Sequence, residues 1–360
     1  MVGMTSYERT KNILDRKPVD RIGLYEHFWS DTKKMWTAAG SVKPNDNLYD
    51  IFDYDMSECW AFKLTADLDF VPQIISETDE TVLTRDGNGA LLRRHKLHDS
   101  TPEHVDFLVK DRAGWEEHIK PLLVPDEKRI NFKAYRDEKR KAREENRFFF
   151  WSGINVFESM HPVCGHEHML VGMALDPDWV KDMVDTYSTL TVRLQEILFD
   201  KEGLPDGIWY YEDMGFKQRP FMSPAMYDEI IKPGHKKTID YAKSNNLPVV
   251  MHSCGYVDPL IPGMIEAGID CLQVIEVKAG MDLLSIHKKY GDRISLMGGI
   301  DVRKLYTNDK KQIDEELESK IPIVKNGFGY ILHSDHSIPG TVDFDTYRYF
   351  IEKGLELGTY

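Results

Sequence analysis

A chain of 360 residues with 60 acidic against 46 basic side chains, a net charge of -14, is long enough to bury a large core and repels nucleic acid and anionic membrane surfaces. Its four cysteines, Cys59, Cys164, Cys254 and Cys271, are too few and scattered for a disulfide framework. The charged N-terminus has no apolar core of signal-peptide length, and no stretch approaches the ~20 apolar residues of a membrane span; the expectation is a cytoplasmic protein with no nucleic-acid or membrane partner.

In chain order, "RIGLY" (21 to 25) reads as a short buried strand, and a less regular one falls near 60 to 70. Between about 82 and 146 the strand–helix rhythm stops. "VLTRDGNGALLRRH" has the pattern of a hairpin turning at Asp86 to Gly89, and residues 126 to 147 form a charged helix with nine Lys/Arg against six Asp/Glu. This stretch is expected to be an insertion within one domain, its basic helix a solvated face. "RFFFW" (147 to 151) opens the next strand. Then "GIWYY" (207 to 211), "PVVM" (248 to 251), "CLQVI" (271 to 275), "RISLM" (293 to 297) and "FGYIL" (328 to 332) are each apolar on both faces and followed by a helical pattern. Asp176 before Pro177, and Ser223 before Pro224, read as helix caps. The eight strands with their helices specify an α/β fold, a single-domain (β/α)8 TIM barrel. An open doubly wound sheet would call for a glycine-rich phosphate loop, which the sequence lacks.

In such a barrel the chemistry sits where strands end. The polar residues just past each apolar run are Glu26 and His27, Glu212 and Asp213, His252 and Cys254, Glu276, Asp301, and His333 with Asp335 and His336. Imidazole, thiolate and carboxylate together suit Zn2+, and a two-residue spacing lets His252 and Cys254 reach one ion from a turning loop. Glu276 and His336 end other strands and complete the expected metal set. Glu212 and Asp213 are the candidates to orient a substrate or move a proton, with His336 as a further substrate contact.

The segments "YYEDMG", "HSCGYVDPLIPGMIEAGIDCLQVIE", "AGMDLLSIHKKYGDRISLMGGID" and "GYILHSDHSIP" resemble the uroporphyrinogen decarboxylase superfamily, and within it the branch of corrinoid-linked methyltransferases. The likeness is strongest from about 206 to 360. It implies a (β/α)8 barrel, a His-x-Cys zinc motif matched by His252 and Cys254, a carboxylate ligand matched by Glu276, and zinc that makes a bound thiol nucleophilic. It also departs from that branch: the second cysteine of the last strand's loop is replaced by His336, which in the decarboxylases serves substrate and not metal. The arginine-rich segment with which those decarboxylases grip propionates is missing, since no Arg occurs between Arg21 and Arg85.

The resemblance therefore implies methyl transfer between a small methyl donor, such as an aryl methyl ether, or a thiol and a corrinoid. No Asp-x-His-x-x-Gly motif is present, so the corrinoid is expected on a separate protein or free. Decarboxylation of a tetrapyrrole or other carboxylate, and non-catalytic corrinoid or tetrapyrrole binding, are the alternatives; a homodimer is left open. The histidine-rich "MHPVCGHEHML" (160 to 170) fits no zinc module and reads as a helix with scattered His; Cys59 and Cys271 read as core thiols, and Asp301 as structural.

Overall fold

The computed structural model describes residues 3–97 and 102–360. Eight parallel strands form one curled sheet: β1 (Gly23–Leu24), β2 (Met56–Trp60), β3 (Phe148–Ile154), β4 (Gly207–Tyr211), β5 (Val249–Ser253), β6 (Cys271–Val274), β7 (Ser295–Gly298) and β8 (Tyr330–Leu332). Each expected strand is present, and the uncertain one lies a few residues earlier, at Met56–Trp60. The order around the sheet is β1-β8-β7-β6-β5-β4-β3-β2, every neighbour parallel. Both faces of such strands are covered, and Phe148 to Trp151 and Val249 to Met251 are buried throughout.

The two outer strands, β1 and β2, meet at Asp55. Its N–H donates to the Leu24 carbonyl at 3.0 Å and its carboxylate accepts the Leu24 N–H at 2.8 Å. Arg9 and Arg21 hold the same carboxylate at 2.6 and 2.8 Å. The barrel thus closes through a buried aspartate, because β1 is only two residues long and offers little ladder of its own.

The departure from the strand–helix rhythm begins earlier than expected and is larger than a hairpin. Strands Gln73–Glu77, Thr81–Arg85, Leu91–His95 and Glu103–Asp106 form a four-stranded antiparallel sheet, with the central turn at Asp86 to Ala90. The charged helix is Phe132–Glu144 and packs against β2 and β3, in the place of an ordinary crossover helix. Its basic residues are matched within the chain: Arg143 pairs with Asp206 at 2.7 Å, and Arg136 pairs with Glu202. Ser223 caps as expected, accepting the Met226 N–H at 3.2 Å. Asp176 does not cap; its carboxylate is taken by Arg112 at 2.9 Å. Among the described residues, no helix is long and apolar enough to cross a membrane.

Candidate metal centre and cavity at the strand ends

The loop that follows β5 turns because Gly255 adopts φ +79, a conformation side chains resist. A Cβ there would sit 2.2 Å from the Gly215 carbonyl carbon, and one on Gly215 would lie 2.5 Å from the Cys254 oxygen. The two glycines let the loops after β4 and β5 touch backbone to backbone, joined by the Gly215 N–H to Cys254 O bond of 3.1 Å. That contact brings Asp213 to the end of β5. His252 Nε2 lies 3.1 Å from Asp213 Oδ1 and 3.2 Å from Cys254 Sγ. One ligand atom from each of these three residues lies within 4.8 Å of the others.

The other imidazole nitrogen is engaged too. His252 Nδ1 meets Gln273 Oε1, and the Cys254 N–H donates to Asp213 Oδ1 at 2.9 Å. Burial alone would raise the Asp213 carboxyl, but the charge of His252 prevails and holds it near 2. Burial pushes the Cys254 thiol up to about 11, partly offset by His252. His252 Nε2, the carboxylate of Asp213 and the thiol of Cys254 thus face one another as three donors that one cation would satisfy together. Imidazole, carboxylate and thiolate converging from two adjacent loops, with one imidazole nitrogen already bonded to a neighbour, is a donor set that fits Zn2+ with a position left for an exogenous ligand.

Asp213 and Cys254 open on a cavity of about 540 Å³, whose wall also includes Glu158, His161, Phe221 and Glu276. Residues 155–355 match the uroporphyrinogen decarboxylase (URO-D) family model. The chain belongs to that family. A methyltransferase from Methanosarcina mazei superposes with a TM-score of 0.69 at 16% identity, over 98% of this chain and 99% of its own. That likeness establishes the shared fold, and the curled parallel sheet is the URO-D barrel. A Xaa-Pro dipeptidase with bound methionine in its active site aligns over 62% of this chain and 58% of its own at 15% identity, with a TM-score of 0.31, too low to signify a common fold. No curated protein matches the chain.

Within the URO-D barrel, the residues singled out from the sequence divide. His252 and Cys254 come together, and Asp213, expected beside the substrate, joins them. Glu276 stands apart from that group: it lines the cavity and accepts the Gly255 N–H at 2.7 Å, shaping the Cys254 loop. His336 also stands apart, stacked on Trp29 at 5.7 Å beside a smaller cavity that shares Glu276. Glu212 is fully buried and turned outward, accepting the N–H groups of Phe157 and Glu158 at 2.9 and 2.7 Å and His235 Nε2 at 2.6 Å. It fastens the start of helix Val156–Leu175 and is not among the cavity-lining residues.

Asp301 caps the helix after β7 and pairs with Arg303 at 2.7 Å. Asp335 accepts the Val277 and Val302 N–H groups at 2.9 and 2.8 Å, tying two strand-end loops together. Glu26, His27 and His333 form a network inside the barrel: His27 Nδ1 lies 3.0 Å from His333 Nε2, which lies 3.2 Å from Glu26 Oε1. Cys59 and Cys271 are buried thiols. Gln273 escaped attention in the sequence. Its signal was a lone polar residue in the apolar strand "CLQVI", placed opposite His252 once the strands pair.

Proposed function

We propose that this chain is a zinc-dependent methyltransferase that moves a methyl group between a small methyl donor or thiol and a corrinoid carried on a separate protein. The observation that supports it is the Asp213, His252, Cys254 group opening on a cavity large enough for a small organic molecule. Zinc held there would polarise a donor oxygen or lower the pKa of an incoming thiol. Asp213 and Cys254 supply the anionic donors, and Gln273 orients His252. The cavity lining carries Lys217 and Lys278 but, among the described residues, no arginine. A tetrapyrrole bearing many carboxylates would meet few partners there, which ranks decarboxylation of such a substrate below methyl transfer.

The test is metal analysis of the purified protein followed by visible spectroscopy of added corrinoid. Bound zinc near one per chain, and conversion of cob(I)alamin to methylcob(III)alamin with one of a series of aryl methyl ethers, or demethylation of methylcob(III)alamin by a thiol, is expected. A metal-free protein after expression with zinc, or no corrinoid reaction with any donor or thiol, counts against it.

A further inference from the structure

Helix Val156–Leu175 carries the histidine-rich segment, and its first turns reach the cavity. Glu158 and His161 line the same space as Asp213 and Cys254. His161 Nε2 lies 2.8 Å from Glu158 Oε1. The pair's other polar atoms, Glu158 Oε2 and His161 Nδ1, are buried and have no hydrogen-bond partner among the described residues. A buried carboxylate oxygen and imidazole nitrogen left bare are costly unless a ligand supplies what is missing. The His161 ring stacks on His166 at 4.3 Å and 17°, and His166 stacks on Phe221 at 4.8 Å and 27°. The unsatisfied atoms therefore belong to one end of a ring stack, His161 on His166 on Phe221, whose three members all line the cavity, on a helix end that Glu212 holds in place.

Resting on the methyl-transfer reading, we propose that Glu158 and His161 form a general-acid subsite for an aryl methyl ether, with the aryl ring at the cavity-facing edge of the His161, His166 and Phe221 stack and His161 Nδ1–H donating to the ether oxygen. The methyl carbon–oxygen bond breaks with its electron pair remaining on oxygen, and the imidazolium proton passes to that oxygen to give a phenol. The methyl carbon accepts the electron pair of the reduced corrinoid brought by the partner, and His161 regains its proton from solvent. His161 touches the reacting oxygen and is the catalytic residue; Glu158, facing Nε2, is the positioning residue that steadies the imidazolium. Burial raises the Glu158 carboxyl, His161 opposes that rise, and Asp213 and Glu212 add to it.

His161→Phe keeps a ring against His166 while removing both nitrogens. With the zinc-loaded full chain and reduced corrinoid, the variant should lose about 100-fold in kcat on anisole, the scale of general-acid catalysis. It should lose only a few-fold on 4-nitroanisole, whose phenolate leaves without a proton. Glu158→Gln should lower kcat on anisole with KM unchanged and carries the same comparison if His161→Phe fails to fold. Equal losses on the two ethers, or none, overturn the assignment. Calorimetry with phenol and anisole gives a readout without turnover: phenol should bind at least 10-fold more tightly than anisole to the wild-type chain, and the difference should vanish in His161→Phe. Undiminished phenol preference in the variant, or no preference in the wild type, overturns the subsite. Wild-type protein that shows this preference yet transfers methyl from neither ether supports the subsite and refutes methyl transfer from ethers.

Discussion

Gln273 and His252 are register partners on adjacent parallel strands, and the amide oxygen of Gln273 meets His252 Nδ1. The contact fixes the Nδ1–H tautomer and leaves Nε2 facing Cys254 and Asp213. Gln273→Leu keeps the side-chain volume and removes the acceptor. Zinc affinity, read by competition with a chelator, should fall on the order of 10- to 100-fold with the barrel's circular dichroism unchanged. Undiminished affinity would show that His252 needs no such support.

The ligand set itself separates two arrangements. Alanine at Asp213, His252 or Cys254 should abolish stoichiometric zinc after desalting, whereas Glu276→Gln and His336→Ala should retain it. Gln at 276 still accepts the Gly255 N–H, so the loop keeps its shape. Loss of zinc from the Glu276 or His336 variant, with Asp213→Ala still loaded, would restore the ligand set expected from strand ends alone.

That contrast marks how far the sequence could be read. Strand identity was legible because buried parallel strands are continuous apolar runs, and their order follows from closing the barrel. His252 and Cys254 were legible because strand-end position and donor chemistry coincide. The role of Asp213 was not, because its approach to Cys254 depends on the loop contact between Gly215 and Gly255, a long-range packing event. Glu212 was misjudged for the converse reason. Adjacent residues after a strand point to opposite sides, and only the partner elements, here helix Val156–Leu175 and His235, reveal which side is the cavity.

Asp55 joins the ends of the sheet, and its carboxylate is fully buried against Arg9 and Arg21. Asp55→Ala strands two guanidinium groups and the Leu24 N–H, so unfolding free energy in urea should drop by about 3–5 kcal/mol. Asp55→Asn, which keeps an acceptor for Leu24, should lose less. Equal stability of Asp55→Ala and wild type would mean that the seam between β1 and β2 is held elsewhere.

Glu26 gives a pH dependence of definite sign. Burial pushes its carboxyl up to about 8 against the opposing N–H groups of Ser334 and His27, and Asp335 adds to the rise. The folded chain therefore binds a proton at Glu26 that the unfolded chain has already released above about 4.5, so this residue's contribution is present at low pH and is lost as pH rises toward 8. His333, held well below its ordinary range chiefly by burial and by His27, acts with the opposite sign, but only below about 6.5, where the unfolded imidazole takes up a proton. Between pH 6.5 and 8 the Glu26 effect stands clear of His333. Urea titrations across that window should show the wild type losing roughly 1–2 kcal/mol relative to Glu26→Gln, which cannot ionise, with a limiting slope of about 1.4 kcal/mol per pH unit. Parallel curves for the two proteins would mean that Glu26 is already ionised in the folded barrel, its charge carried by the N–H groups of Ser334 and His27 and by His333 at 3.2 Å.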